Sequence, residues 1–243
     1  MISVITPCYC RLEYTTRCID AIRRYNPDAD YEHILVDNGS WDGTKEWFHS
    51  LKALDTGWWN HITYIRLNEN IGDHAAKAIG LKEAKGEYIH MVDNDIALKS
   101  FNYLTMIKEL YDYLVDNENC GCLSGKRTGV RIVVPLEHPH DVVVEGRFGK
   151  CGYKVGTAWY VPMPFYRRDI IDFPLINGWP ALMPKGRRVF KTESLTMEHM
   201  DDGTMVESGF SYGDQRHKYP NYFSSKSRID NKFGKDMISQ WES

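Results

Sequence analysis

Residues 87–95 read EYIHMVDND: a short apolar run that ends in two carboxylates with an amide between them. The run is rich in β-branched and aromatic residues and reads as a buried strand. Such an end is either a polar turn or the edge of a place where polar ligands gather. The residues before it decide between the two, because they decide what kind of sheet the strand joins.

Three earlier runs share its pattern. ISVIT (2–6), EHILVD (32–37) and ITYIRL (62–67) are short, apolar and bounded by turn residues. Between the strands, EYTTRCIDAIRRY (13–25), WDGTKEWFHSLKAL (41–54) and GDHAAKAIGLKEAKG (72–86) carry apolar residues at helical spacing, the last with Gly86 as the expected C-cap. Strand–helix units in series predict an α/β fold, a Rossmann-like and mostly parallel sheet flanked by helices. In such a sheet ligands collect at the carboxyl ends of the strands. That rim gathers Thr6 and Tyr9 after the first strand, Asp37 after the second, Asn68 and Asn70 after the third, and Asp93 and Asp95 after the fourth.

Composition bounds the rest. With 243 residues and 42% hydrophobic content, the chain can bury a real core, and one domain over 1–243 is expected. It divides into a first half (1–100), a second half (101–205) and a tail (206–243). Lys and Arg number 30 against 33 Asp and Glu, a net charge of -3, so no global field draws the protein to nucleic acid. No basic leader precedes an apolar segment and no apolar run approaches membrane-spanning length, so a soluble, cytoplasmic protein is expected. The cations of the tail allow at most a peripheral contact with anionic lipid. Six cysteines form two C-x-C pairs but no C-x-x-C, and buried free thiols are the expectation.

Acids at i and i+2 on an extended chain point to opposite faces. A turn leans both toward the rim, where they repel unless a cation sits beside them. Hard oxygen ligands suit Mg²⁺ or Mn²⁺, which complete their shells with water and substrate phosphate oxygens, so Asp93 and Asp95 point to a diphosphate substrate. Asp37 opens DNGSWDGT (37–44) and can accept hydrogen bonds from a ribose or base edge while Gly39 admits a close backbone approach. A turn with helix-capping value explains DND and DNGSWDGT equally well, and both readings are compatible.

ISVITPCYCR (2–11), ILVDNGSWDGT (34–44) and NENIGDHAAKAIGLKEAKGEYIHMVDND (68–95), in that order and spacing, resemble the nucleotide-binding half of family 2 glycosyltransferases, which have the GT-A fold. The resemblance implies that Thr6, Pro7, Tyr9 and Asp37 hold the nucleobase and ribose, and that Asp93 and Asp95 hold the divalent metal on the diphosphate. Asn70 and Gly72 would lie near the nucleotide, with His74 and Lys77 facing it. Arg11 and Asn94, within these motifs, join the nucleotide-binding set. Ile79 departs from the pattern, standing where the family places an asparagine.

Beyond residue 100 the pattern loosens. FNYLTMIKELYDYLVDN (101–117) is an amphipathic helix, and RIVVPLEH (131–138), DVVVEGRF (141–148) and KVGTAWYVP (154–162) read as strands of a smaller mixed or antiparallel section. GCLSGKRTG (121–129) is no phosphate loop, since its glycines are wrongly spaced and Arg127 stands where Ser or Thr should. The resemblance implies a further metal ligand from a late histidine, which in VFKTESLTMEH (189–199) is His199. Proline between His138 and His140 makes that pair a surface loop. Trp159 and Tyr160 fall in the segment that resembles the floor of an acceptor pocket, where an aromatic ring stacks on a sugar. The family's acidic pair for the general base has no match here. Asp172 and Asp214 are the nearest candidates.

The implied reading is a metal-dependent glycosyltransferase that moves a sugar from a nucleotide-diphosphate donor to a carbohydrate or other hydroxyl-bearing acceptor by single displacement with inversion. A nucleotidyltransferase is the second reading, although TPCYCRLEY (6–14) offers only Arg11 and no glycine for a triphosphate. A catalytically silent nucleotide-sugar-binding protein is the third, kept open by the missing acidic pair.

Overall fold

A computed structural model describes residues 1–53, 61–129, 142–146, 149–154, 163–170 and 187–200. Asp172, Asp214, Trp159, Tyr160, His138, His140, the expected strand at 131–138 and the tail fall outside the described residues, as does the side chain of His74.

The first half alternates as expected: β1 (Ile2–Cys8), α1 (Leu12–Tyr25), β2 (Tyr31–Asp37), α2 (Thr44–Ala53), β3 (Ile62–Arg66), α3 (Asp73–Glu83) and β4 (Tyr88–Met91). The strands lie side by side in the order β3-β2-β1-β4, all parallel. Every residue of β1 is buried, as a central strand covered on both faces requires. Because β2 and β4 flank β1 on opposite sides, the strand order reverses at β1, and this opens a crevice above the carboxyl ends of β1 and β4.

Helix α3 reaches that crevice because its inner face is small. Ala75, Ala76, Ala78 and Gly80 let it settle so closely on the sheet that a methyl at Gly80 would come 2.5 Å from Ile5 Cγ2 and 3.1 Å from Val36 Cγ2. Gly86 corrects an expectation. The helix ends at Glu83 with Ala84 as its cap, and Gly86 is glycine because its backbone lies against Ser3, where a Cβ would sit 2.7 Å from the Ser3 nitrogen. Its N–H donates to Ser3 Oγ at 2.8 Å.

The second half adds β5 (Ile96–Leu98), α4 (Tyr103–Glu118), β6 (Cys120–Gly129), β7 (Val142–Gly146), β8 (Gly149–Lys154), β9 (Phe165–Arg167) and β10 (Arg188–His199). The described strands form one ten-stranded sheet that continues from β4 through β9, β6, β10 and β8 to β7. This section is mixed: β9, β8, β7 and β5 pair antiparallel, whereas β6 and β10 run parallel. The glycine-rich 121–129 stretch is the body of β6, buried over its first half. Short β5 pairs with the end of β10, setting His199 opposite Ile96, and the Met200 N–H donates to Asp95 O at 2.8 Å. The late strand is thereby stitched to the DND turn.

Helices α1 and α4 are joined by a buried amide. Asn26 Nδ2 donates to Ile22 O at 2.8 Å, and its Oδ1 accepts the Leu104 N–H at 2.7 Å. All six cysteines are buried free thiols. Burial pushes the Cys10 thiol up to about 11 and the Cys122 thiol up to about 12, which makes them poor nucleophiles. No helix among the described residues is long and apolar enough to cross a membrane.

Candidate active site

The three polar side chains of the turn after β4 go three ways. Asn94 is buried and donates to Thr15 Oγ1 on α1 at 3.0 Å. Asp93 turns to α3, where Lys77 Nζ lies 2.7 Å from its Oδ1. Asp95 faces Arg11 Nη1 at 3.2 Å and His199 Nε2 at 3.4 Å, both at the same oxygen, Oδ2. The turn is held by backbone bonds, Val92 N–H to Ile5 O at 2.9 Å and Ile96 N–H to Asp93 O at 3.0 Å.

Burial alone would raise the Asp95 carboxyl. The hydrogen bond from His199 and the charges of Arg11, His199 and Arg127 outweigh it and hold the group down to about 2. Asp95 is therefore an ionised carboxylate. Its Oδ2 and His199 Nε2 are separated by about the edge of the octahedron that Mg²⁺ or Mn²⁺ demands, roughly 3.0 Å for ligand bonds of about 2.1 Å. The pair fits a divalent ion. Among the described residues no three acid, histidine or cysteine side chains gather at one point. Asp93 is the absentee, drawn aside by Lys77.

Lys77 is buried beneath the rim and pairs with Asp73 Oδ2 at 2.8 Å as well as with Asp93. Burial opposes its charge, but the two carboxylates win and raise the ammonium above its usual range. For Asp93, burial and the neighbouring Asp73 and Asp95 push the carboxyl up, against the pull of Lys77.

Asp37 is enclosed by its neighbours. Its side chain is fully buried; Oδ2 accepts the Tyr64 hydroxyl at 2.5 Å and the Arg66 guanidinium, and Oδ1 accepts the Ser40 N–H at 2.7 Å. Solvent does not reach the carboxylate in this arrangement. Gly39, at φ 82, admits the neighbouring loop: a Cβ there would sit 2.8 Å from the Glu69 backbone carbon. Thr6 is likewise buried, with its hydroxyl 2.8 Å from His33 Nε2 inside the sheet. Asn70 is a strut, its Oδ1 accepting Asn38 Nδ2 at 2.8 Å and the Gly72 N–H at 2.9 Å. Asn94 is tied to Thr15. Pro7 is buried in β1, Tyr9 half-buried in the loop after it, and Gly72, at φ 95, opens α3.

Arg66 and Tyr64 went unread in the sequence. They sit two apart on β3, hence on one face, and the parallel register places Arg66 directly across from Asp37. A cation at the exit of the third strand, beside an acid at the exit of the second, was the available signal. Asp42 was missed for its capping: Oδ2 accepts the Leu12 N–H at 2.8 Å, closing the start of α1, while Oδ1 accepts Thr44 Oγ1 at 2.6 Å at the start of α2. Two crevice loops are thus locked by one carboxylate.

Known proteins are similar to this chain in sequence and in fold. Glycosyltransferase AglE of Haloferax volcanii is 30% identical over 95 residues, covering 39% of this chain. The chain aligns with 30% of that protein's length, and with 36% and 49% of two further curated relatives. Among solved structures, S. aureus TarS in complex with UDP superimposes with a TM-score of 0.54 at 18% identity, over 81% of this chain and 60% of that one. The mannosyltransferase PcManGT from Pyrobaculum calidifontis, in complex with GDP-Man and Mn²⁺, does so with 0.54 at 15% identity, over 81% and 56%. The architecture is that of the GT-A glycosyltransferases. The pattern of glycosyl transferase family 2 matches residues 3–171, more than half of the chain, and this protein belongs to that family.

Proposed function

We propose that this chain is the catalytic unit of a glycosyltransferase that binds a nucleotide-diphosphate sugar in the crevice above β1 and β4 and passes the sugar, with inversion, to an acceptor hydroxyl. The observation that carries the metal-dependent form of this reading is the meeting of Asp95 Oδ2 and His199 Nε2, 3.4 Å apart, from well-separated parts of the sequence. The UDP and GDP-Man complexes of the structural neighbours support a nucleotide-sugar donor, and the Mn²⁺ in one of them supports a divalent cation.

Asp95 and His199 would hold Mn²⁺ or Mg²⁺, which would supply positive charge against the diphosphate leaving group. Arg11 and Lys77 add fixed positive charge at the crevice floor, where the leaving group gathers negative charge. Tyr9, Gly72 and His74 line the nucleotide, and Arg66 faces the base side of the crevice with Asp37 holding it in place. Trp159 and Tyr160 receive the acceptor. Asp172 or Asp214 takes the proton of the acceptor hydroxyl as its oxygen attacks the anomeric carbon and the bond to the diphosphate breaks.

Thermal unfolding against a panel of UDP- and GDP-sugars, with Mn²⁺ or with EDTA, tests the reading. A rise in midpoint that needs both metal and nucleotide sugar is expected, as is its loss in Asp95→Asn. Metal-dependent binding or turnover that persists in Asp95→Asn overturns the metal assignment.

A further inference from the structure

Asp95 Oδ2 serves two partners, Arg11 Nη1 at 3.2 Å and His199 Nε2 at 3.4 Å. Arg11 is not a passing surface cation. Its side chain is 8% exposed, and its guanidinium lies 4.7 Å from the centre of the Tyr14 ring. Its backbone is left-handed at φ 63, in a loop whose continuation is capped by Asp42. The fold therefore places this cation at Asp95 and keeps it there, and little water screens the pair.

A divalent ion bound by Asp95 and His199 must approach the oxygen that Arg11 already neutralises, and the two cations repel. Lys77 poses no such conflict, since Asp73 and Asp93 hold it elsewhere. A diphosphate changes the balance at Arg11. A guanidinium pairs with phosphate oxygens through a planar fork, so an arriving diphosphate gives Arg11 another anion to pair with and supplies the negative charge that two adjacent cations require.

We infer that Arg11 is a positioning residue that holds Asp95 against a divalent cation alone and yields it when a nucleoside diphosphate arrives, so that metal and donor bind cooperatively. This rests on the metal-and-diphosphate reading above.

The test is Mn²⁺ binding to the full chain, by calorimetry and by the paramagnetic resonance signal of free Mn²⁺, with and without saturating UDP or GDP. In the wild type, nucleotide tightens Mn²⁺ by about 10-fold or more, within the ~5–150-fold range of such couplings. In Arg11→Met, Mn²⁺ alone binds about 10-fold more tightly than in the wild type, and the gain from nucleotide shrinks to about 3-fold or less. Should Arg11→Met fail to fold in EDTA, Arg11→Lys decides, because a hydrated point charge holds the carboxylate less well: Mn²⁺ alone tightens by about 3-fold. A folded variant that binds Mn²⁺ no better than the wild type, while nucleotide still tightens it, overturns the role of Arg11 and leaves the metal site standing. Failure of wild type and variants to bind Mn²⁺ under any of these conditions overturns the site itself.

Discussion

Arg66 stands across the parallel β2–β3 register from Asp37 and donates to a carboxylate that solvent does not reach. The two partners differ in exposure, 33% for the Arg66 side chain and 0% for Asp37, and this makes their removal unequal. Arg66→Met strands a buried charge and should cost roughly 3–5 kcal/mol. Asp37→Asn leaves a neutral amide in the same space and lets Arg66 turn to water, for a loss of about 1–3 kcal/mol. Urea titration of both variants checks the order, and equal losses would mean that the carboxylate is better hydrated than its burial indicates.

Gly80→Ala sets two effects against each other. In a helix interior alanine is favoured over glycine by about 1 kcal/mol. Here the added methyl would meet Ile5 Cγ2 at 2.5 Å, and Ile5 is a β-branched residue locked in a central strand. Overpacking of this kind costs about 1–3 kcal/mol, so the variant should be destabilised on balance. A higher melting temperature than the wild type would show that α3 can lift from the sheet.

Two buried histidines make stability depend on pH. Burial lowers His33 and His90 from 6.5 to about 4. Between those values the unfolded chain binds more protons than the folded one, so stability rises with pH. The contribution is fully present above about pH 6.5 and drains away as pH falls toward 4, up to roughly 3 kcal/mol for each group. His90 stacks on Tyr103 with ring centroids 5.6 Å apart, so His90→Phe keeps the packing and removes the proton site. Urea midpoints from pH 7.5 down to 4.5 should fall less steeply in this variant, and an unchanged slope would count against the buried neutral imidazole.

Asn26→Ala should loosen the joint between α1 and α4. Asn26 is 1% exposed, and its loss leaves the Leu104 N–H without the acceptor that it has at 2.7 Å. An unpaired buried donor costs about 1–3 kcal/mol. Hydrogen exchange at the first turn of α4 should quicken in step with the drop in urea midpoint; unchanged exchange there would place the effect elsewhere.

Much of the first half was legible because its signals are local. Short apolar runs at 2–6, 32–37, 62–67 and 87–93, with helical spacing between them, dictate β1 to β4 and their helices, and the order of strands and crossovers puts Asp93 and Asp95 on one rim. Where each polar side chain turns is not a local property. Asp93 goes to Lys77 because the small face of α3 lets that helix come close, and Asp37 is closed off because β3 sets Arg66 and Tyr64 beside it. Gly39 and Gly86 look like turn or cap residues in sequence, yet it is the nearness of Glu69 and Ser3 that requires them. The chain alone named Asp95 and His199 through a resemblance. Only the antiparallel pairing of β5 with β10 brought them within 3.4 Å, because a contact between distant strands is set by sheet register, which no short run of residues encodes.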